Sequence, residues 1–401
     1  MNEVRDTSTS ARPRPDVGDR AHSEFRGLDL RVDAPNLFVI DGGNAIRMAL
    51  HEVVTELGPS ALNDLRSTTG AVATTVDEAY TAPMSSRELF YHAQCFDGAI
   101  SCVVAWDYFD ATAPVDSTEL RPVGYEVRDR WLTDTLPMGA AVVDFLFHPG
   151  AEFWADHHGT TFLNAESRAV FEAAGRRDWL YDAHAKSCAG LLYRRFARER
   201  AHRNPAFEEA VAWAERIDSA DYESVEEAVI PCQLASAISL SFAVRPDPEY
   251  SVHLVRRLRE MAGDISAVAS DPAVRAAIDE ARQRVEMGIS ALRRGICENN
   301  ADVVTFDVEE GDALIPRYAP YLVNPDARYS AGIVRRATEA KITTMRNPWR
   351  HFQGVNLGSL CARYGGGGHE RVGSILLRDG SVERAGVLLQ GIVDEIRSAK
   401  S

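Results

Sequence analysis

From about residue 36 onward, two kinds of apolar segment alternate along the chain. Short apolar runs end in polar, often acidic residues. Longer stretches follow them, with apolar positions recurring every three or four residues. The runs predict strands and the stretches predict helices. "NLFVIDGGNAIRMAL" (36–50) reads as strand, glycine turn and helix. The Ala/Thr/Ser-rich residues 58–86 have no clear period. Residues 88–91 predict a short strand, then a polar turn, then an apolar helix from Gly98. "GAAVVDFLF" (139–147) is a continuous apolar run broken only by Asp144, the pattern of a strand buried on both faces of a parallel sheet. "EFWADHH" predicts another short strand. "AKSCAGLLYRRFARER" predicts a helix with Ser187 as its N-cap, and "AFEEAVAWAERIDSADY" one that carries Asp218 and Asp221 at its C-terminal end. Strands alternating with helices imply an α/β fold with a doubly wound parallel sheet. Such sheets bind ligands beyond the carboxyl ends of their strands.

"RPDPEY" (245–250) reads as a linker or turn. Asp271 and Pro272 then open a long amphipathic helix as N-cap and first helical residue. Its stripe is Val274, Ile278, Ala281, Val285, Ile289, Leu292 and Ile296, a packing face without chemistry. "DVVTFDV" and "AGIVRRATEAKITTMR" predict strands of a second, smaller α/β unit that finishes in "YGGGGHERVG". The expected organisation is a disordered polar tail (1–35), a main domain with an N-terminal extension (36–245), a linker and helix (246–300) and a second domain (301–401).

Charge narrows the function. A net −15 over 401 residues gives no general attraction to long duplex nucleic acid or to an anionic membrane. A polyanionic substrate must be held by a local basic pocket or by metal ions. The six cysteines are scattered without a C-x-x-C, as expected of free thiols in a reducing cytoplasm. No uninterrupted apolar run approaches the roughly 18–20 residues of a membrane span. The polar N-terminus has no apolar core, so no secretory signal is expected.

The predicted strand ends carry the candidate chemistry. They are His92 with Cys95 and Asp97, then Asp144, then Asp156–His157–His158; Asp218, with Asp221 near it, closes a helix. Each alone is an ordinary polar residue. Together they mix carboxylate oxygen with imidazole, a set suited to Mn²⁺ or Mg²⁺, and also to Fe²⁺ or Co²⁺. A pair of ions about 3.5–4 Å apart needs a bridging carboxylate. Asp144 suits that role, because an unpaired charge in an apolar run is costly.

In order, "HAQCFDG", "VVDF", "ADHH" and "RIDSAD" resemble the motifs of the DHH superfamily of phosphoesterases. "GGGGHERVG" resembles the signature of the DHH-associated C-terminal domain. The resemblance runs from about residue 87 to the C-terminus. It implies an active-site cleft between the two domains and a two-ion site, usually Mn²⁺, with Mg²⁺ or another divalent ion as the alternative. His92 and Asp144 would hold the first ion; Asp97, Asp144, His157 and Asp218 would hold the second. His158 would orient or protonate the phosphate, and Asp156 would fix a histidine tautomer. Gly366, Gly367, Gly368 and His369 would offer donors to an anionic group, and Arg346 would face a substrate phosphate.

One departure stands out. The commonest first motif has two aspartates, and Cys95 takes the place of the first. A Cys-x-Asp-Gly version resembles an oligoribonuclease or cyclic-nucleotide phosphodiesterase branch. Cys95 is therefore either a packed thiol or the mark of a first ion that is weakly held, softer, or bound only with substrate. The upstream "VIDGGNAIR" superficially resembles the D-G-x-N of another nuclease fold, but lies too close to the first motif for that fold. The implied activity is metal-dependent hydrolysis of phosphodiester or phosphomonoester bonds in small nucleotides: short oligoribonucleotides, 3′,5′-bisphosphonucleotides or cyclic nucleotides. A pyrophosphatase or polyphosphatase is one alternative, and a catalytically weakened nucleotide-binding regulator is the other. No long duplex and no membrane is expected as a partner, and a homodimer stays open.

Overall fold

The structure is a computed structural model that describes residues 29–33, 36–41, 44–48 and 86–399. The chain divides into two compact units, Met1–Met84 and Ser85–Ser401. Within the first, β1 (Asp29–Asp33), β2 (Asn36–Asp41) and β3 (Asn44–Met48) form an antiparallel sheet in that order. The helix expected after the glycine turn is instead strand β3. Asp41 pairs with Asn44, so β2 and β3 are partners in an antiparallel hairpin. Residues 58–85 of the Ala/Thr/Ser-rich segment, and most of the proposed tail, lie outside the described residues.

The second unit opens with a five-stranded parallel sheet. Its strands are β4 (Ser86–His92), β5 (Ser117–Val123), β6 (Ala141–Val143), β7 (Phe153–Asp156) and β8 (Trp179–Tyr181), in the order β5-β4-β6-β7-β8. Successive side chains point to opposite faces, and both faces are covered. Leu89, Tyr91, Ala141, Val143, Phe153 and Ala155 enter one core, and Val142 and Trp154 enter the other, with Phe90 packed against it. The chain leaves β4 toward β5 on one side and returns to β6 on the other. That switch point sits between β4 and β6, where a doubly wound sheet opens a crevice.

Helix α1 (Phe96–Thr112) follows β4 and is buried on nearly every side, so it carries no polar stripe. Its first turn lies against the end of β4. A Cβ on Gly98 would fall well inside contact distance of the His92 carbonyl oxygen. Gly98→Ala is therefore expected to destabilise the protein by about 1–3 kcal/mol, read as a lower urea midpoint.

The run 139–147 does not continue as one strand. β6 stops at Val143, and Asp144 adopts a left-handed conformation with φ 54°. Three bonds hold the bend. Asp144 N–H donates to Ala155 O at 2.8 Å, Trp154 Nε1 to Phe145 O at 2.9 Å, and Trp131 Nε1 to Leu146 O at 3.0 Å. Asp144 thus stands just beyond the strand end, while Phe145, Leu146 and Phe147 pack into the second core.

Helices α2 (Ala165–Ala174), α3 (Cys188–Glu199), α4 (Glu208–Asp218), α5 (Val225–Val229) and α6 (Leu234–Val244) follow. Val225–Val244 is apolar and long enough to span a membrane by composition, but half of it is buried inside the protein and Pro231 falls between its two helices. The proposed linker at 245–250 instead starts helix α7 (Pro248–Glu260), with the Asp247 side chain accepting from Tyr250 N–H at 2.7 Å. Asp247–Pro248 is the same entry signal as Asp271–Pro272. After the short α8 (Ile265–Ser270), helix α9 (Pro272–Arg294) runs from one core to another. Val274, Ala277, Ile278 and Ala281 join the first core, and Leu292 joins a core beneath the second sheet.

That second sheet is mixed, with order β13-β14-β12-β11-β10-β9. Its strands are β9 (Ile296–Asn299), β10 (Val303–Glu309), β11 (Tyr329–Arg335), β12 (Glu339–Arg346), β13 (Gly367–His369) and β14 (Val372–Arg378). The short helix α10 (Pro320–Val323) connects β10 to β11 and supplies Tyr321 to the core shared with Leu292. Helices α11 (Leu357–Arg363) and α12 (Ala385–Ser398) cover the opposite face.

Candidate metal centre

Three strand ends and two helix ends converge at the switch point. His92 ends β4, Asp144 follows β6, and Asp156 ends β7 just before His157 and His158. Cys95 caps α1 and Asp97 lies in its first turn, while Asp218 is the last residue of α4. Ligand atoms of His92, Cys95 and Asp144 lie within 4.8 Å of one another, as do those of Asp97, His157 and Asp218, and those of Asp144, Asp156, His157 and His158. Asp221 stays apart. It is exposed and pairs with Lys186 at 2.6 Å.

Hydrogen bonds fix the cluster from outside. Asp97 Oδ2 accepts from Cys188 N–H at 2.7 Å, and Oδ1 from Ala189 N–H at 2.9 Å, both at the N-terminus of α3. Ser101 adds a third bond at 3.3 Å. Asp156 Oδ1 accepts from the His157 and His158 backbone N–H groups at 2.7 and 3.3 Å, and from His158 Nδ1 at 2.8 Å. His157 Nδ1 stands 3.1 Å from Ala185 O, its hydrogen-bond partner. With Nδ1 donating to that carbonyl, the Nε2 lone pair faces Asp218 at 3.3 Å, Asp97 at 3.5 Å and Asp144 at 3.8 Å. The Ala185 carbonyl and the α3 amides carried no sequence motif, although Ser187 marked where α3 begins.

The inward atoms are left over. His92 Nδ1, both Asp144 oxygens and His157 Nε2 are buried without a hydrogen-bond partner. Among the described residues no Lys or Arg pairs with Asp97, Asp144, Asp156 or Asp218. Burial, reinforced by Asp97, Asp156 and Asp218, pushes the Asp144 carboxyl well above the usual range. Burial likewise raises Asp97, against the pull of His157 and the α3 amides. Burial and Asp97 lift Asp218 to about 6. Burial and the nearby His158 lower His92 to about 4. For His158, burial is outweighed by Asp156 and the surrounding carboxylates, which raise it to about 9. Several carboxyl groups therefore face a protonated His158 and an uncharged His92. Orphaned ligand atoms of this kind fit divalent cations: two ligands of one ion, each at about 2.1 Å in tetrahedral geometry, stand about 3.4 Å apart.

Tyr125 marks the rim. Its half-exposed ring packs edge-on against His92, centroids 5.3 Å apart, and tilted against Phe145 at 5.6 Å. No sequence pattern distinguished it.

The second-domain candidates lie at the end of β12, on β13 and, for Gly366, just before β13. Gly368, at φ 145°, has no room for a Cβ against the Val372 carbonyl, and Gly366 none against the Ser374 carbonyl. Close backbone packing on β14 thus accounts for two of the glycines. Gly367 opens β13 and His369 closes it. Arg346 donates to Glu370 at 3.0 Å and to Phe352 O at 2.6 Å. Among the described residues no hydrogen bond or ion pair links Arg346 or the glycine run to the metal-ligand cluster. Trp349 is a packed aromatic, with Nε1 donating to Tyr222 O at 3.0 Å and its ring edge-on to Tyr318 at 5.5 Å.

No protein-family model matches this sequence. No curated protein matches it either. Solved structures do. PggH, a pGpG-specific phosphodiesterase from Vibrio, aligns over 77% of this chain and 99% of its own, with 15% identity and a TM-score of 0.59. RecJ from Thermus thermophilus in complex with Mn²⁺ aligns over 77% of this chain and 52% of its own, with 14% identity and a TM-score of 0.43. An exopolyphosphatase-related protein from Bacteroides fragilis aligns over 82% of this chain and 96% of its own, with 12% identity and a TM-score of 0.42. Parallel sheet, mixed sheet and the likeness to PggH together give this chain the α/β fold of that structure.

Proposed function

We propose that this chain is a divalent-metal-dependent phosphoesterase acting on small nucleotides. The observation that carries the reading is the set of buried, unpartnered ligand atoms on His92, Asp144 and His157. Fold alone assigns no substrate. In this reading His92 and Asp144 hold one ion, while Asp97, Asp144, His157 and Asp218 hold the other, with Asp144 shared. Bound ions would neutralise phosphate oxygens and acidify an attacking water.

The side chains do the rest. Asp156 keeps His158 protonated near neutral pH, so that it can donate to a phosphate oxygen. The Ala185 carbonyl keeps the His157 Nε2 lone pair turned inward. The α3 amides hold Asp97 in place. Tyr125 offers an aromatic edge where a base could lie. Gly366, Gly367, Gly368, His369 and Arg346 are the second domain's candidates for the far end of the substrate. For Arg346 this means exchanging the exposed Glu370 carboxylate for a phosphate. The scarcity of Lys and Arg around the cluster and the aromatic rim favour a nucleotide over pyrophosphate or polyphosphate. The −15 charge favours a small substrate over a long track. Mn²⁺ is the first ion to try.

The test is a metal-supplemented assay over 5′-labelled dinucleotides, bisphosphonucleotides, cyclic dinucleotides and pyrophosphate. Mn²⁺-dependent release of mononucleotides is expected. Activity that persists in the double variant Asp144→Ala/His157→Ala would overturn the site assignment.

A further inference from the structure

We propose that Cys95 is itself a metal ligand. With His92 and Asp144 it forms a nitrogen–oxygen–sulfur site that prefers a borderline ion such as Fe²⁺, Co²⁺ or Zn²⁺ to Mn²⁺ or Mg²⁺. The inference rests on the reading of the cluster as a metal centre, and assigns the residue in it that the sequence left ambiguous.

Three observations converge. Cys95 Sγ, a ring nitrogen of His92 and an oxygen of Asp144 lie within 4.8 Å of one another, close enough to share one ion. The two partners have unspent bonding capacity. Asp144 is buried, with neither oxygen hydrogen-bonded, and His92 Nδ1 stands 3.6 Å from Asp144 Oδ2 with no partner of its own. That gap is too long for a hydrogen bond and close to the ligand–ligand distance across a single ion. The thiol, in turn, is not committed elsewhere. Cys95 occupies the N-cap of α1, but its side chain makes no capping bond, and it is only partly buried.

The other buried thiols are placed differently. Cys102 sits in the core, Cys188 donates to Ala155 O at 3.3 Å, and Cys361 faces Thr344 at 3.5 Å. Cys188 also lies near Asp144 and Asp97, but its thiol is spent on the Ala155 carbonyl, whereas Cys95 Sγ stands beside unsatisfied nitrogen and oxygen.

Chemistry then sets the metal preference. A thiolate carries the same charge as the carboxylate it replaces, so the electrostatics of the cluster is kept. Without a cation, burial and the Asp144, Asp97 and Asp218 carboxylates hold the thiol well above its ordinary value, against the Gly98 backbone N–H at the start of α1, so a bound cation is what would draw out the thiolate. Softness, however, changes: sulfur and imidazole favour Fe²⁺, Co²⁺ and Zn²⁺, while Mn²⁺ and Mg²⁺ prefer oxygen. The second site, with three carboxylates and His157, keeps the harder character. The two positions are thus expected to differ in ion preference.

The test uses the full-length, metal-stripped protein titrated with Co²⁺ alone. Wild type should develop a thiolate-to-cobalt charge-transfer band in the near ultraviolet. Cys95→Ser should lose that band while still binding Co²⁺ at the second site. Cys95→Asp should also lack it, and should gain Mn²⁺ affinity relative to Co²⁺ by at least about tenfold. If wild type and Cys95→Ser bind Co²⁺ with the same spectrum, Cys95 is no ligand, while the metal centre stands. If wild type binds neither Co²⁺ nor Mn²⁺, and matches Asp144→Ala/His157→Ala in both titrations, the metal centre itself is wrong and the inference falls with it.

Discussion

Asp144→Asn is expected to make the metal-free protein more stable and to abolish metal-dependent hydrolysis. Both effects have one cause. The Asp144 carboxylate is buried, its oxygens accept no hydrogen bond, and Asp97, Asp156 and Asp218 surround it. Without cations that is a destabilising arrangement, and removing the charge should recover on the order of 1–3 kcal/mol. Asn is the right replacement, because it tolerates the left-handed backbone that Asp144 adopts. The same change removes the shared ligand of the proposed two-ion site. A loss of at least about a thousandfold in turnover is expected, about 4 kcal/mol of barrier. Urea unfolding with EDTA and with saturating Mn²⁺ checks both halves. Wild type should gain about 2–3 kcal/mol from an ion present at about a hundred times its Kd. The variant should start higher and gain little. A metal-free variant less stable than wild type, still stabilised by Mn²⁺, would contradict the assignment.

The second large effect is on pH dependence without metal. Asp218 is raised to about 6 from an unfolded value near 3.8, and Asp97 and Asp144 are shifted the same way, mainly by burial. Between those values the folded state binds more protons than the unfolded one, so stability falls as pH rises. Asp218 alone accounts for on the order of 2–3 kcal/mol between about pH 4 and 6. His158 acts in the same direction at higher pH. Its folded value of about 9 lies above the unfolded 6.5, so the stability it contributes is complete below 6.5 and is lost as pH rises through 9. His92, lowered to about 4, opposes Asp218 between pH 4 and 6.5, because there the unfolded state binds a proton that the folded imidazole does not. The clear net weakening of the metal-free protein is therefore expected between about pH 6.5 and 9, and saturating divalent ion should flatten or reverse it. Thermal unfolding in EDTA across that range is the measurement. A metal-free stability that rises between pH 6.5 and 9 would show that His158 and the buried carboxylates are not held above their ordinary values.

The site was more legible in the sequence than its supports. His92, Asp97, Asp144, His157 and Asp218 stand at strand and helix ends that spacing alone could predict, because a strand's last residue is where the chain leaves the sheet. Asp221 stands near Asp218 at the end of the same predicted helix, and only the resemblance sets Asp218 apart; in the structure Asp221 lies beyond the helix end and turns to Lys186. Linear proximity could not separate them. The glycine run was read as a ligand-binding loop, but Gly366 and Gly368 have a packing requirement visible only once β14 is beside them. Asp247–Pro248 carries the same helix-entry signal as Asp271–Pro272, inside a segment whose two prolines also fit a turn.

Local patterns alone determined the alternation of strands and helices, the parallel sheet and the residues that gather at its ends, since side-chain period and capping act over a few residues. Only the tertiary structure decided that Asp144 bends away from its strand, that its oxygens go unpaired, that Ala185 turns His157 inward, and that Cys95 lies beside His92 and Asp144. These are contacts between segments far apart in the chain, and whether a buried polar atom is satisfied depends on every neighbour it meets in space.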